Sequence, residues 1–460
     1  MTQTKPLTAP KPLWRTFLAF LGPMVFGNLL QSMSGTVNAI YIGQMLGVKP
    51  MAAMAAFFPV LFFFIAFIIG LGAGASVLIG QAWGAKEPER VKAVAGTALG
   101  VVLLFGLVIA VFGGTFTEAL LGILGTPQDI LPDATRYARI MLLAMPGLIV
   151  FLLFTSMLRG VGDTLSPMLA LLISTGVGML VTPALIRGWW GLPTMGVASA
   201  AFGTMASYVV ALLWLAYRLR TKLYQGQQHP MAPDMDLLRH LHIERGILKT
   251  VLRIGIPTGV QMVVISLAEV AVLSLVNGFG SDATAAYGAV GQVVNYVQFP
   301  AISIAITSSI LGAQAIGAGK PERLSAIVRT GLQMNLVLTG TLVLLGYLFS
   351  RHVVRLFIAD DAVVEVAQTL LHTMLWSTVI FGMSGVLGGV MRASGTVLVP
   401  TLISIIGIAL VEVPTAWYLS KTMGLNGIWV SYPVAFCTML CCQTAYYHLV
   451  WRKKPIVRLI

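Results

Sequence analysis

The stretch Gln81-Ala-Trp-Gly-Ala-Lys-Glu-Pro-Glu-Arg90 recurs 233 residues further along the chain as Gln314-Ala-Ile-Gly-Ala-Gly-Lys-Pro-Glu-Arg323. The same spacing relates Arg159-Gly-Val-Gly162 to Arg392-Ala-Ser-Gly395. Since one constant spacing connects several motifs, chance is a poor explanation, and the chain is predicted to consist of two homologous halves.

The repeated motif also predicts how helices end and begin around it. Gly84 and Gly317 are expected to end their helices in the left-handed conformation, which glycine adopts without steric cost. Pro88 and Pro321 are expected to start the next helix, because the first helical turn needs no backbone N–H from them.

The composition excludes a soluble protein. Of the 460 residues, 57% are hydrophobic and 10% are charged, whereas soluble domains carry roughly a quarter charged residues. The charge-free runs 93–116, 140–158 and 332–348 approach or exceed the length of about 20 residues that a membrane-spanning helix needs. The sequence therefore predicts a polytopic, all-α membrane protein.

Hydropathy and helix-breaking residues predict twelve transmembrane helices. Their spans are 14–44, 52–80, 93–116, 135–158, 166–188, 195–217, 250–278, 284–313, 325–349, 366–391, 398–420 and 425–449. They form two six-helix bundles, residues 1–217 and 250–460, joined by a polar linker at 218–249. Because six is even, both halves enter the membrane in the same sense, with a pseudo-twofold axis along the membrane normal. A cavity between the halves would support alternating access by rocking.

The charge distribution predicts the orientation. The net charge is +13, and 22 of the 29 Lys and Arg residues, among them Lys5 and Lys11, fall on one side if the N-terminus is inside. Positive residues concentrate in cytoplasmic loops, so both termini are expected in the cytoplasm of a bacterial cell and the spans in its inner membrane. The positive charge is explained by orientation, and no nucleic-acid partner is expected.

Two of the sixteen acidic residues, Glu269 and Glu412, fall inside predicted spans, and no Lys or Arg lies deep in the membrane. A charge at mid-bilayer costs about 3 kcal/mol, so each Glu should be protonated, bound to a cation, or facing water. Both are candidates for cation coupling, with transient Na⁺ binding at Glu269. The alternative is a protonated Glu bonded to a neighbouring helix.

Neutral polar residues recur at helical spacing on two spans. They are Asn28, Gln31 and Asn38 on the first span, and Gln292, Asn295 and Gln298 on the eighth. They are expected to line a wet substrate cavity. The alternative is interhelical hydrogen bonds, worth about 0.6 kcal/mol each.

No enzymatic constellation is recognisable. The sequence contains neither a Walker A motif nor a His-Glu-x-x-His pair, so no enzyme, cofactor or resident metal is predicted. Each chain holds both halves, and a monomer is expected to suffice.

Several motifs together resemble the multidrug and toxic compound extrusion (MATE) family. They are Pro23 and Pro257 in the first helix of each half, the repeated glycine motif, Arg159-Gly-Val-Gly-Asp-Thr-Leu-Ser-Pro167, and Phe279-Gly-Ser-Asp-Ala-Thr-Ala-Ala-Tyr-Gly288. The likeness spans nearly the whole chain. It implies a V-shaped pair of bundles that exports organic cations and drugs in exchange for Na⁺ or H⁺.

The chain departs from the family pattern at the coupling residues. Asn38 stands where one bacterial branch carries a titratable Asp, which makes the chain more similar to the NorM-like branch. That branch has acids on the seventh and tenth helices; Glu269 lies on the seventh, but its register differs by about a turn, and the tenth span has no acid. Glu412 matches no family position.

Two other functions compete with drug export. A flippase for lipid-linked oligosaccharides of the same superfamily would need basic residues in its cavity, whereas the membrane region here carries acids only. A non-transporting membrane protein fits poorly with the twofold repeat.

Overall fold

The computed structural model describes residues 12–224 and 226–460. Lys5 and Lys11, two of the residues used to predict orientation, lie outside the described residues. Within them, twelve helical segments are long and apolar enough to cross a membrane, so the predicted number of spans is confirmed.

The first half contains six long helices, each of which is one span. They are α1 (Leu13–Met45), α2 (Val48–Gly84), α3 (Pro88–Ile123), α4 (Leu131–Val161), α5 (Leu165–Arg187) and α6 (Ala198–Thr221). A 3₁₀ turn, Trp189–Gly191, connects α5 to α6. Pro88 starts α3, as predicted, but the same prediction for Pro321 is wrong, because the next helix of the second half begins at Arg323.

The second half repeats this order with more interruptions. Its segments are α8 (Arg245–Asn277), α9 (Ser281–Gly317), α10 (Arg323–Leu348), α11 (Ser350–Arg355), α12 (Asp361–Met374), α13 (Ser377–Ala393), α14 (Leu398–Ile406), a π-helix (Gly407–Glu412), α15 (Val413–Met423) and α16 (Leu425–Leu449). The short helix α11 leads from α10 into the loop before α12, and a 3₁₀ turn, Trp451–Lys453, follows α16.

The tenth and eleventh spans are broken where the sequence predicts continuous helices. The tenth begins at Asp361, earlier than predicted, because the Asp360 side chain accepts a hydrogen bond from the Ala362 N–H at 2.8 Å and caps α12. It is interrupted between Met374 and Ser377. In the eleventh, the π-helix precedes Pro414, which has no N–H to donate to the preceding turn.

The linker is folded and packed on the first half. Strands β1 (Leu223–Tyr224) and β2 (Gln227–Gln228) form an antiparallel pair, and α7 (Met235–Arg239) follows. Thr97 of α3 donates through its hydroxyl to the His242 carbonyl at 3.2 Å and accepts from the Glu244 N–H at 3.3 Å. We call the membrane face that carries this segment the linker face.

The two halves meet closely at the linker face. A Cβ on Gly84 of α2 would overlap the Gln314 carbonyl of α9, and a Cβ on Gly317 would overlap the Gln81 carbonyl. Further from the linker-side ends of the helices, α2 and α8 are also in close contact, at Gly70 and Gly255. All these contacts lie in the linker-side parts of the helices, so the halves are closed at that face.

The predicted left-handed helix ends at Gly84 and Gly317 are wrong. Both glycines are the last helical residues of their helices, and the positive φ angles occur two residues later, at Lys86 (61°) and Gly319 (69°). Glycine is required at 84 and 317 for close packing between the halves, which local sequence patterns do not reveal.

The C-terminal segment crosses from the second half to the first. Arg458 donates two hydrogen bonds to the Glu87 carboxylate, at 2.7 and 2.6 Å, and the Leu459 N–H donates to Gln81 Oε1 at 2.8 Å. The paired guanidinium holds the pKa of Glu87 below its usual range. This segment therefore adds a polar connection to the glycine contacts at the linker face.

Candidate functional site

Glu412 closes the π-helix of the eleventh span. Its side chain is 3% exposed, and within the described residues no Lys, Arg or His forms an ion pair with it. Single π-turns inside helices often mark functional sites. A buried acid at such a turn, without a basic partner, needs a proton or a cation to compensate its charge.

Glu269 of α8 lies beside Glu412. The π-helix and α15 both pack against α8, and the two carboxylates are near enough for their charges to interact. Unlike Glu412, Glu269 is exposed. The structure thus brings together the two acids that the sequence places on separate spans. Glu412 is buried and Glu269 is exposed.

Two tyrosines complete this cluster. Tyr287 of α9 and Tyr432 of α16 share a hydrogen bond between their hydroxyls at 2.7 Å. Both tyrosines are near enough to the two acids for electrostatic interaction. Two hydroxyls carry two hydrogens, and one of these is used between them. The pair therefore keeps one hydrogen to donate and oxygen lone pairs to accept.

A buried indole packs against the tyrosine pair. Trp429 is fully buried and stacks on Tyr287, with ring centroids 5.9 Å apart and planes inclined by 13°. Its Nε1–H has no hydrogen-bond partner among the described residues. We call Glu269, Tyr287, Glu412, Trp429 and Tyr432 the acidic cluster.

The acidic cluster lies nearer the face opposite the linker. Its four polar members are six to eleven residues from the ends of their spans at that face. Carboxylate and hydroxyl oxygens are hard ligands that suit a small cation, and a carboxylate pair can also share a proton. No group of three His, Cys, Asp or Glu residues that could hold a metal occurs in the described chain.

The predicted cavity residues fall into two groups. Asn28 donates to Ser303 Oγ of α9 at 3.3 Å, and Asn38 accepts from the Thr182 hydroxyl of α5 at 3.2 Å. These two residues therefore form interhelical hydrogen bonds, which is the alternative to lining a cavity. Gln31, Gln292 and Asn295 are exposed along their helices, and Gln298 is partly exposed.

Sequence reasoning missed Tyr287, Trp429 and Tyr432. Each is a single aromatic residue close to the end of an apolar span, where such residues are common as interfacial anchors. The available signal is that a buried Tyr hydroxyl or Trp N–H needs a partner. That signal does not say which helix supplies the partner.

Comparison with a protein-family model gives two matches within the chain. The MatE model matches residues 23–184 and again 257–418. Each match begins at a proline in the first helix of a half, Pro23 or Pro257.

Curated proteins match over nearly the whole chain. "Probable multidrug resistance protein YoeA" of Bacillus subtilis (strain 168) is 42% identical, covering 100% of this chain and 99% of the relative. "Probable multidrug resistance protein NorM" of Thermotoga maritima is 24% identical, covering 89% and 86%. "Multidrug export protein MepA" of Staphylococcus aureus (strain MRSA252) is 23% identical, covering 91% and 89%.

Solved structures share the fold. A structure described as "MATE in the bent conformation" superposes with a TM-score of 0.84 at 23% identity, covering 95% of this chain and 94% of the other. An "Outward-facing conformation of a multidrug resistance MATE family transporter" gives 0.85 at 22% identity, covering 95% of each. These matches agree with the predicted two six-helix bundles.

Proposed function

The chain belongs to the MatE family, and from this premise we propose that it is a multidrug efflux transporter that exports organic cations in exchange for Na⁺ or H⁺. The relatives named for multidrug resistance or export support the efflux function. Members of this family are transporters and not enzymes. The substrate class, the coupling ion and its site are proposals that rest on this chain's own residues.

The observation that carries the coupling proposal is the acidic cluster. Glu412 is buried without a basic partner in the described chain, and the exposed Glu269 lies beside it. We expect an ion to enter from the face opposite the linker through Glu269 and to be held between the two carboxylates. Binding an organic cation and binding the coupling ion then compete for the same negative charge.

The closed linker face supports alternating access. In this conformation the two halves touch through Gly70, Gly84 and their partners on α8 and α9 at the linker face. Gln31, Gln292 and Asn295 lie further toward the opposite face and are exposed. We propose that they line the substrate path when the protein is open to that face.

The same arrangement supports the remaining assignments. We propose that residues 1–217 and 250–460 move as two bodies, with the segment 218–249 carried by the first. We propose that both termini face the cytoplasm of a bacterial cell, that the spans cross its inner membrane, and that one chain suffices for transport.

Transport in liposomes tests the proposed function. Purified protein would be reconstituted with ethidium as the organic cation, and a Na⁺ or a pH gradient would be imposed in turn. We expect gradient-driven dye movement that Glu269→Gln and Glu412→Gln each reduce at least tenfold. Glu118→Gln, which removes an exposed acid at the end of α3, is the matched control and should transport normally.

Each outcome decides between functions. The gradient that drives movement identifies the coupling ion. Movement that survives both substitutions would keep the exporter but reject the acidic cluster as the coupling site. No movement under either gradient, in protein shown to be folded, would reject drug export and favour lipid-linked substrates.

A further inference from the structure

A cavity lies in the other end of the second half, away from the acidic cluster. It has a volume of about 460 Å³ and lies between α10, α13 and α16 at their linker-side ends. This volume is within the range of small-molecule sites, roughly 300–1,000 Å³. The proposed transport mechanism uses none of the residues that line it.

The floor of this cavity is apolar. Val328 and Leu332 of α10, Met383 and Leu387 of α13, and Leu440 of α16 form it. Val328 and Leu387 are buried, and the other three are partly exposed. The floor is therefore formed without a bound ligand, and its exposed apolar part is suited to an aliphatic chain.

The rim is basic. Arg329 of α10, and His448 and Arg452 at the end of α16, surround the opening, and all three are exposed. The Arg452 guanidinium lies 3.4 Å from His448 Nδ1. No Asp or Glu lines the cavity, and neither arginine forms an ion pair within the described residues.

The chain segment that carries Arg452 is anchored through the preceding residue. Trp451, immediately before Arg452, is buried and stacks on Tyr447 with ring centroids 5.2 Å apart. Its Nε1–H donates to Ser394 Oγ at 3.0 Å. Because Trp451 is anchored on two sides, the backbone of Arg452 is placed at the cavity mouth.

We propose that this cavity binds an anionic phospholipid of the surrounding membrane. An apolar floor accommodates part of an acyl chain, and two unpaired arginines at the end of the spans bind a phosphate headgroup. A free phosphate would leave the floor unfilled, and a zwitterionic lipid would bring the positive charge of its own headgroup close to the two arginines. The basic pocket lies where headgroups meet the helix ends, so the ligand reaches it from the bilayer.

Native mass spectrometry of the purified full-length protein tests this site. Dioleoyl-phosphatidylglycerol and dioleoyl-phosphatidylcholine would be titrated in detergent against wild type and Arg329→Gln/Arg452→Gln. Removing both arginines should weaken phosphatidylglycerol binding about 30-fold, which corresponds to about 2 kcal/mol. Lys249→Gln/Arg253→Gln is the control, because it removes two exposed charges of α8 at the same face but outside the cavity.

Two further measurements separate the lipid from its headgroup. Leu332→Trp, which fills the floor, should also displace phosphatidylglycerol, whereas soluble glycerophosphoglycerol should compete poorly. Equal binding of phosphatidylcholine would overturn the proposal, as would unchanged phosphatidylglycerol binding in the arginine variant. Competition by the soluble headgroup as strong as by the whole lipid would show an anion site and reject a lipid site.

Discussion

At the scale of single residues, the buried and unpaired Glu412 needs a compensating charge if it is to lie inside a membrane. Burying a charge without a partner is costly, and Glu412 is 3% exposed. Glu269 is another acid and cannot compensate this charge. The cluster therefore needs an exchangeable cation or proton, which is the property that coupled transport requires.

The tyrosine pair gives a prediction at this scale. Tyr432→Phe removes one of the two hydroxyls that share the 2.7 Å hydrogen bond and leaves Tyr287 without its partner. Losing a hydrogen bond in a buried polar cluster costs about 1–2 kcal/mol. We therefore expect the concentration of coupling ion for half-maximal transport to rise about tenfold, measured with ethidium in liposomes.

Tyr446→Phe provides the comparison for that experiment. Tyr446 lies on the same helix near the linker face, where its hydroxyl accepts from Lys454 Nζ at 3.3 Å. Its loss should leave the ion dependence unchanged. An equal response of both variants would assign the effect to α16 as a whole and not to the acidic cluster.

At the scale of helices and loops, the sequence is most informative where the structure depends on hydropathy and repetition. Twelve spans and the repeated halves follow from runs of apolar residues and from the spacing of 233 residues. The break between Met374 and Ser377 and the π-helix before Pro414 were not predicted. Both depend on neighbouring helices, which a single apolar run does not specify.

The candidate site also has features that a single span reveals and features that depend on neighbouring helices. Glu269 and Glu412 were predicted because a charge inside an apolar span is visible in the sequence. Their tyrosine and tryptophan partners come from two other helices and were visible only in the folded chain. Asn28 and Asn38 carry the same polar signal as Gln31, yet they form interhelical hydrogen bonds.

The glycine contact between α2 and α9 gives a prediction at the element scale. Gly84→Ala adds a methyl group that would overlap the Gln314 carbonyl, so the closed linker face should be disfavoured. Spin labels at Arg90→Cys and Arg323→Cys, in protein lacking Cys437, Cys441 and Cys442, would report the separation of the halves. We expect the distribution of distances to shift to longer values.

A glycine of α9 without close neighbours serves as the control. A Cβ on Gly288 meets no atom within 4 Å, so Gly288→Ala should leave the distances unchanged and stabilise the helix by up to about 1 kcal/mol. If Gly84→Ala also leaves the distances unchanged, the linker-side contact does not depend on this glycine.

The contact between Asp163, in the loop from α4 to α5, and His229 of the linker gives a pH-dependent prediction. Asp163 is buried, and burial raises its pKa, but the neighbouring His229 imidazole, 3.5 Å away, and the Ser166 N–H, at 2.9 Å, outweigh burial and hold the pKa below its usual range. A carboxyl with a lowered folded pKa stabilises the fold above its unfolded pKa. That contribution is lost as the pH falls below about 4.

Thermal unfolding of Asp163→Asn tests this contribution. The variant should unfold at a lower temperature than wild type at pH 7, and the difference should shrink as the pH approaches 3. Asp133→Asn, at an exposed acid in the first turn of α4, should match wild type throughout. A difference for Asp163→Asn that is independent of pH would assign its effect to packing and not to charge.

At the scale of the whole molecule, the C-terminal segment connects the two halves across the linker face. Arg458 pairs with Glu87 of the first half, and the Leu459 N–H bonds to Gln81. These contacts must break whenever the halves separate at that face. The segment should therefore favour the conformation that is closed there.

Arg458→Gln tests this role. We expect a larger population with separated halves, measured with the same pair of spin labels, and a transport rate that changes with it. High salt should reproduce part of the effect in wild type, because it screens exposed ion pairs. Lys453→Gln removes a charge from the same segment without touching Glu87; an identical shift in this variant would exclude the Arg458–Glu87 pair as the cause.

The most direct test of coupling is whether substrate displaces the coupling ion from Glu269 and Glu412. Saturating ethidium would be added to purified protein, with proton release followed by an indicator dye in weak buffer and Na⁺ release by radioactive ²²Na. We expect wild type and Glu118→Gln to release H⁺ or Na⁺ and Glu269→Gln/Glu412→Gln to release neither. Unchanged release from the double variant would contradict coupling through the acidic cluster.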